Sequence, residues 1–205
     1  MLKTPIAEHH VETEEKNSRF LAELRPVSNE TDIKARQRDL KAQHPKANHV
    51  CYAFRLMNND RQIIEGFSDD GEPGGTSGPP MLKVMQHHHL INCAILITRY
   101  FGGIKLGTGG LQRAYGGAAS SVICDLPMSA YSEWKATEQL ILSCGFAEEA
   151  AVRRLLTQVG AVIDEEQYTE NGPDLTITMT EEASESLSAS PLARIISLRP
   201  TSGSA

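Results

Sequence analysis

The chain has 205 residues, 40% of them hydrophobic and 22% charged, which excludes a disordered chain and suits one large domain or two small ones. Its formal net charge of −6 is uneven: residues 1–130 hold 15 Lys and Arg against 14 Asp and Glu, whereas residues 131–205 hold 5 against 12. An acidic final third repels phosphate backbones, so that part reads as protein-binding rather than as a grip on RNA.

The longest apolar stretch, CAILIT at 93–98, is far too short for a membrane span, and the N-terminus lacks the apolar segment of a secretory signal. Four scattered cysteines without Cys-x-x-Cys spacing read as reduced core residues. Together these features predict a cytoplasmic protein with no membrane partner.

In chain order, Phe20, Ala22 and Leu24 alternate with polar neighbours and predict a strand over 18–25. A helix is expected over 28–44, capped by Ser28 or Thr31 and ended by Pro45. HVCYAFRL at 49–56 and QIIEGFS at 62–68 predict a hairpin about the NND turn. Pro79 and Pro80 suit the first turn of a helix reaching about His88. The continuously apolar run before Arg99 predicts a central strand over 93–101. GGIKLGTGG at 102–110 is expected to be a loop leading into a helix over 110–126. A domain boundary is placed near 125–132, giving domains 1–130 and 131–205. The second domain predicts strand 134–143, helix 146–159, strand 161–168, an NGPD turn, strand 175–180, helix 181–189 and strand 193–198, the βαββαβ order of a ferredoxin-like fold. The tail TSGSA is expected to be disordered.

Two stretches concentrate the chemistry. SDDGEPGGTSGPP at 68–80 gathers Asp69, Asp70 and Glu72, acids that repel one another and need a cation, a donor or solvent. Asp69 and Asp70 could hold Mg²⁺, the acids could act as a general base, or Asp side chains could bond backbone amides in a turn. The second stretch could expose bare amides before a helix N-terminus, where Lys105, Gly107, Thr108, Gly109, Gly110 and Arg113 would receive an anion. It is neither a Walker A loop nor Gly-x-Gly-x-x-Gly. Arg99 ends the central strand and offers a fork to a phosphate or to the loop acids. His49 begins the neighbouring strand and reads as a hydrogen-bonded core or rim residue or, alternatively, as a catalytic candidate beside the acids. The acidic loop and the 102–110 loop are expected to face one another across a cleft, with Arg99 between them.

GFSDDGEPGGTSG followed by RYFGGIKLGTGGLQRAYGGA resembles the two signature blocks of the IMPACT/YigZ family, and KNSRF and HPKANHVCYAF resemble its opening. Gly75 stands where the family pattern has Ala. The resemblance implies an α+β protein in two parts. The first would share the fold of a small-subunit ribosomal protein domain (ribosomal-protein-S-five domain 2) and of the fourth domain of elongation factor G. The second would be ferredoxin-like, similar to that factor's fifth domain. It also implies a link to translation, since eukaryotic members are translation regulators that bind a large scaffold protein. The expected function is a translation-linked regulatory or binding protein that engages RNA, the ribosome, a nucleotide phosphate or a translation-related protein through its Gly-rich face. The alternative is a Mg-dependent enzyme acting on a small phosphorylated or nucleotide substrate.

Overall fold

The structure is a computed structural model that describes residues 1–201; the tail expected to be disordered lies, from 202 on, outside the described residues. The fold class is α+β, and the chain divides into two compact units, Met1–Trp134 and a second from Lys135 onward. No described helix is long and apolar enough to cross a membrane.

In the first unit, strands β1 (Lys3–Pro5), β2 (His9–Glu15) and β3 (Ser18–Pro26) precede helix α1 (Glu30–Gln43). Strands β4 (His49–Met57) and β5 (Ile63–Ser68) form a hairpin, then come α2 (Gly78–His87), β6 (Cys93–Tyr100) and α3 (Gly107–Cys124). A three-residue strand, β7 (Tyr131–Glu133), returns to pair antiparallel with β1, so residues 131–134 join the first unit. The main sheet is antiparallel throughout, in the order β2-β3-β6-β4-β5.

The two-residue period of a strand sorts the side chains of this sheet between two cores. Phe20, Ala22, Leu24, Cys51, Ala53, Cys93, Ile95 and Ile97 face α2 and α3, where they meet Met81, Met85, Leu111, Tyr115, Ala118 and Val122. Val50, Tyr52, Phe54, Leu56, Ala94 and Leu96 face α1, where they meet Ile33 and Leu40. The central strand β6 is therefore buried on both faces. The same period places Arg99, in register with Phe20 on one side and His49 on the other, on the α2–α3 face at the end of the sheet.

The second unit holds β8 (Thr137–Ser143), α4 (Glu149–Val159), β9 (Val162–Thr169), β10 (Gly172–Thr180), α5 (Glu181–Ala189) and β11 (Ser197–Pro200). Its strands are ordered β11-β8-β10-β9, all antiparallel, which is the ferredoxin-like arrangement. Leu142, Val152, Leu156, Leu175, Ile177 and Leu187 fill its core.

Local differences from the sequence reading have physical causes. Strand β2 was not foreseen because it is a charged edge strand, half exposed, with too little apolar contrast to show a period. Asn29, rather than Ser28 or Thr31, caps α1, its Oδ1 accepting the Asp32 N–H at 2.9 Å. Helix α3 begins at Gly107, so Gly107, Thr108, Gly109 and Gly110 are its first turn rather than a loop. Packing of Leu111 and Tyr115 outweighs the cost of roughly 1 kcal/mol per helical glycine. The hairpin after β9 turns at 170–171, and Gly172 and Pro173 already belong to β10. Cys124 is exposed instead of lying in the core, whereas Cys51, Cys93 and Cys144 are buried, and all four are free thiols.

Gly102, just beyond β6, runs so close to the β2–β3 turn that an added Cβ would fall 2.0 Å from the Asn17 carbonyl carbon. Gly102→Ala is therefore expected to cost about 1–3 kcal/mol in urea unfolding. Gly74→Ala, where nothing lies within 4 Å, should stay within about 0.5 kcal/mol. Equal effects of the two substitutions would show that the close approach is unimportant.

Candidate functional site

The loop between β5 and α2 uses its acids in three different ways. Asp69 turns inward: Oδ2 accepts the Gly75 N–H at 2.7 Å, and Oδ1 accepts the Ser77 N–H at 3.1 Å, the Ser77 hydroxyl at 2.6 Å and the Gly78 N–H at 2.8 Å. It thereby caps α2 from a distance in sequence, supplying negative charge where the helix amides lack partners. Partial burial alone would raise its pKa, but these donors outweigh it and hold the carboxyl below its ordinary value. Asp70 ties the loop to two other elements, accepting the Val50 N–H of β4 at 2.7 Å and pairing with Lys41 of α1. The backbone turns sharply at this point, with φ of 44° at Asp70 and 86° at Gly71.

Glu72 alone enters the cleft. Its side chain is 3% exposed, and Oε1 accepts from Arg99 Nη1 at 2.6 Å and from the Tyr115 hydroxyl at 2.8 Å. Arg99, 7% exposed, has its guanidinium 5.6 Å from the Phe20 ring and 5.7 Å from the Phe101 ring. Its Nη2 reaches the Ser18 hydroxyl at 3.4 Å, while Nε is buried with no hydrogen-bond partner. Tyr115 stands edge-on to Phe20 at 5.2 Å, and its hydroxyl lies 3.4 Å from Cys51 Sγ. Burial first, then Cys51 and Glu72, drive the Tyr115 phenol well above its ordinary value; burial likewise pushes the Cys51 thiol up to about 12. Tyr115 is thus a neutral donor to Glu72, and the Cys51 thiol bonds the Asp69 carbonyl oxygen at 3.1 Å behind it.

His49 completes this wall. Its Nδ1 lies 2.8 Å from the Asp70 carbonyl oxygen, which can only accept, so Nδ1 carries a proton. Nε2 is left 4.0 Å from Glu72 Oε2. Opposite stands the N-terminus of α3, which has no side-chain cap and whose first amides have no intrahelical partner. Between the two walls lies a recess of about 340 Å³, lined by Asn48, His49, Glu72, Arg99, Lys105, Gly107 and Thr108 and by the apolar Pro73, Phe101, Leu106 and Leu111.

The structure thus brings His49, Glu72, Arg99, Lys105, Gly107 and Thr108 around one recess. Asp69 and Asp70 do not line it. Gly109 and Arg113 line a separate groove, and Gly110 packs beside Leu106 within the first turn of α3. Sequence reasoning missed Tyr115, Phe101, Asn48 and Ser18 as parts of the site. Tyr115 reads as an ordinary member of an apolar helix face, and its hydroxyl was the one available signal.

The acids do not fit Mg²⁺, which needs several oxygens facing one point with waters completing an octahedron. Asp69 is surrounded by four protein donors, Asp70 holds an amide and a lysine, and Glu72 holds an arginine and a phenol. Among the described residues no group of three or more His, Cys, Asp or Glu is placed to hold a metal ion. What the recess offers is positive: a buried guanidinium, a lysine and a row of helix amides, with aromatic and aliphatic surface beside them.

This is a two-unit α+β protein with a cationic, helix-ended recess in its first unit. A family model described as the Impact N-terminal domain matches residues 16–123, a span that contains every residue of the recess. YigZ of Escherichia coli (strain K12), an IMPACT family member, is 34% identical over 170 residues, 80% of this chain and 79% of that one. YvyE of Bacillus subtilis (strain 168), also an IMPACT family member, is 45% identical over 113 residues, which are 55% of this chain and only 50% of that relative's length. A crystal structure described as that of a hypothetical protein aligns over 99% of this chain and 98% of its own with a TM-score of 0.70 at 30% identity. The chain belongs to the IMPACT family.

Because the folded-state pKa of Asp69 lies below the ordinary 3.8, its contribution to stability is complete above that value and is lost as pH falls through the lower, folded-state value. Asp69→Asn should therefore cost about 1–2 kcal/mol in urea unfolding near neutral pH. The gap to the parent should close well below pH 3.8, where the parent's own carboxyl is protonated. A gap independent of pH would refute the capping role.

Proposed function

We propose that the protein is a translation-linked regulatory binding protein whose first unit takes a phosphate group, carried by RNA or a nucleotide, into the recess at the N-terminus of α3. The observation that carries this reading is the buried Arg99 Nε, which lacks a partner in a recess that also presents uncapped helix amides. A buried donor without an acceptor costs about 1–3 kcal/mol, and an anion seated there would relieve that cost while meeting the positive end of the helix. Phe101, 45% exposed on the rim, offers a flat face on which a base can stack. The translational setting rests on family membership alone. In this reading the protein works in the cytoplasm, and the acidic second unit, whose charge disfavours a polyanion, serves a protein partner.

A metal-dependent enzyme is less well supported, because the acids are already committed to protein donors. His49, whose Nε2 lies 4.0 Å from Glu72 Oε2 on the recess wall, would offer the ligand a further polar contact.

The test is Thr108→Glu. Glutamate in the first turn of a helix favours folding, so this exposed substitution should leave the melting temperature unchanged or raised. It would also place a carboxylate where the phosphate sits. Binding of UMP or of a labelled oligo(U), read by NMR shift perturbation and fluorescence anisotropy, should weaken by about tenfold or more, equivalent to ~1.4 kcal/mol. Equal affinity in parent and variant would remove the recess from the binding site.

A further inference from the structure

A second groove lies on the other side of the same helix turn. It has a volume of about 390 Å³ and is lined by Gly75, Pro79, Pro80, Lys83, Gly109, Gln112 and Arg113. The helical period explains the division: Gly107, Thr108 and Leu111 lie on the face of α3 toward the recess, whereas Gly109, Gln112 and Arg113, spaced i, i+3 and i+4, lie toward α2. The groove lining contains no acid. Lys83 and Arg113 are exposed, and among the described residues neither is paired with a carboxylate. Nearby cations are tied to acids, Lys41 to Asp70 and Arg99, through Nη1, to Glu72. With three glycines and a threonine in its first turn, α3 presents a nearly bare backbone ridge between the two hollows.

We propose that this groove is a second phosphate subsite, so that the ligand is a single-stranded polynucleotide whose backbone crosses the N-terminal turn of α3. One phosphate would lie in the recess with Arg99 and Lys105, and a later one in the groove between Lys83 and Arg113. The inference rests on the reading of the recess as a phosphate site and adds that the ligand extends beyond a single nucleotide. A mononucleotide reaches one hollow only. A strand can use both, and the glycine ridge lets its backbone approach the helix amides without side chains intervening.

The experiment compares the parent with Lys83→Ala/Arg113→Ala by titrating each with labelled oligo(U) over a range of salt, and with UMP by NMR. Both substitutions are exposed, and a melting curve checks that the fold is intact. The double variant should bind oligo(U) about tenfold or more weakly. Its slope of log K against log salt should be shallower by ~0.7, the value for one lost phosphate contact on a single strand. Its affinity for UMP should match the parent's. An unchanged oligo(U) affinity and slope would overturn the second subsite. It would also fall if a poly-glutamate peptide bound as tightly as oligo(U) with the same dependence on Lys83 and Arg113, since the groove would then serve an acidic protein segment. Loss of oligo(U) binding in the double variant but not in Thr108→Glu would leave the groove standing and overturn the recess. No binding of either probe by the parent would overturn both.

Discussion

The geometry of the first unit depends on one buried ion pair, Glu72 with Arg99. Removing two charges from water is costly, and the pair holds only because each partner finds further support. Glu72 shares its Oε1 with the Tyr115 hydroxyl, and the guanidinium lies between Phe20 and Phe101. These contacts join a loop, the central strand and helix α3 at a single point. The position of Arg99 is itself fixed by sheet register, since its direct neighbours are Phe20 on β3 and His49 on β4. The guanidinium cancels the one acid in the recess, so the pair fixes its shape and leaves its sign to Lys105 and the α3 amides.

The strands that build the sheet were legible because their patterns are local. The apolar run before Arg99, the alternation from Phe20 to Leu24 and the NND turn each announce an element within a few residues. The site was legible only in outline. Gly-rich stretches marked the two loops that flank the recess, and their facing each other across Arg99 was the expected arrangement. What each acid does was not legible, because the deciding partners are distant or are backbone groups. Asp69 finds its donors six to nine residues along the chain, at Gly75, Ser77 and Gly78. Glu72 meets Tyr115, which is separated from it by 43 positions. A carboxylate that caps a helix and one that anchors an arginine look identical in a string of letters.

The two units differ in the materials they offer a partner. The first carries the recess and groove, where cations and bare amides face outward. The second is closed over an aliphatic core, and its surface carboxylates are matched in places by arginine, as where Arg153 bonds Glu149 and Glu166. Burial of Cys51, Cys93 and Cys144 leaves thiol chemistry out of both cores, and only Cys124 is open to solvent.

The walls of the recess are also unequally braced. On one side Asp69 is bound by four donors and Asp70 by an amide and a lysine, so that rim cannot shift without freeing the start of α2. On the other, the segment leaving β6 is held at its beginning, where the Phe101 N–H meets Asn48 and the Gly102 N–H meets Ser18, before it passes through the left-handed Gly103. The acidic loop is therefore the fixed jaw of a vice, and on the other side the ties stop at Phe101 and Gly102, before the chain reaches Gly103.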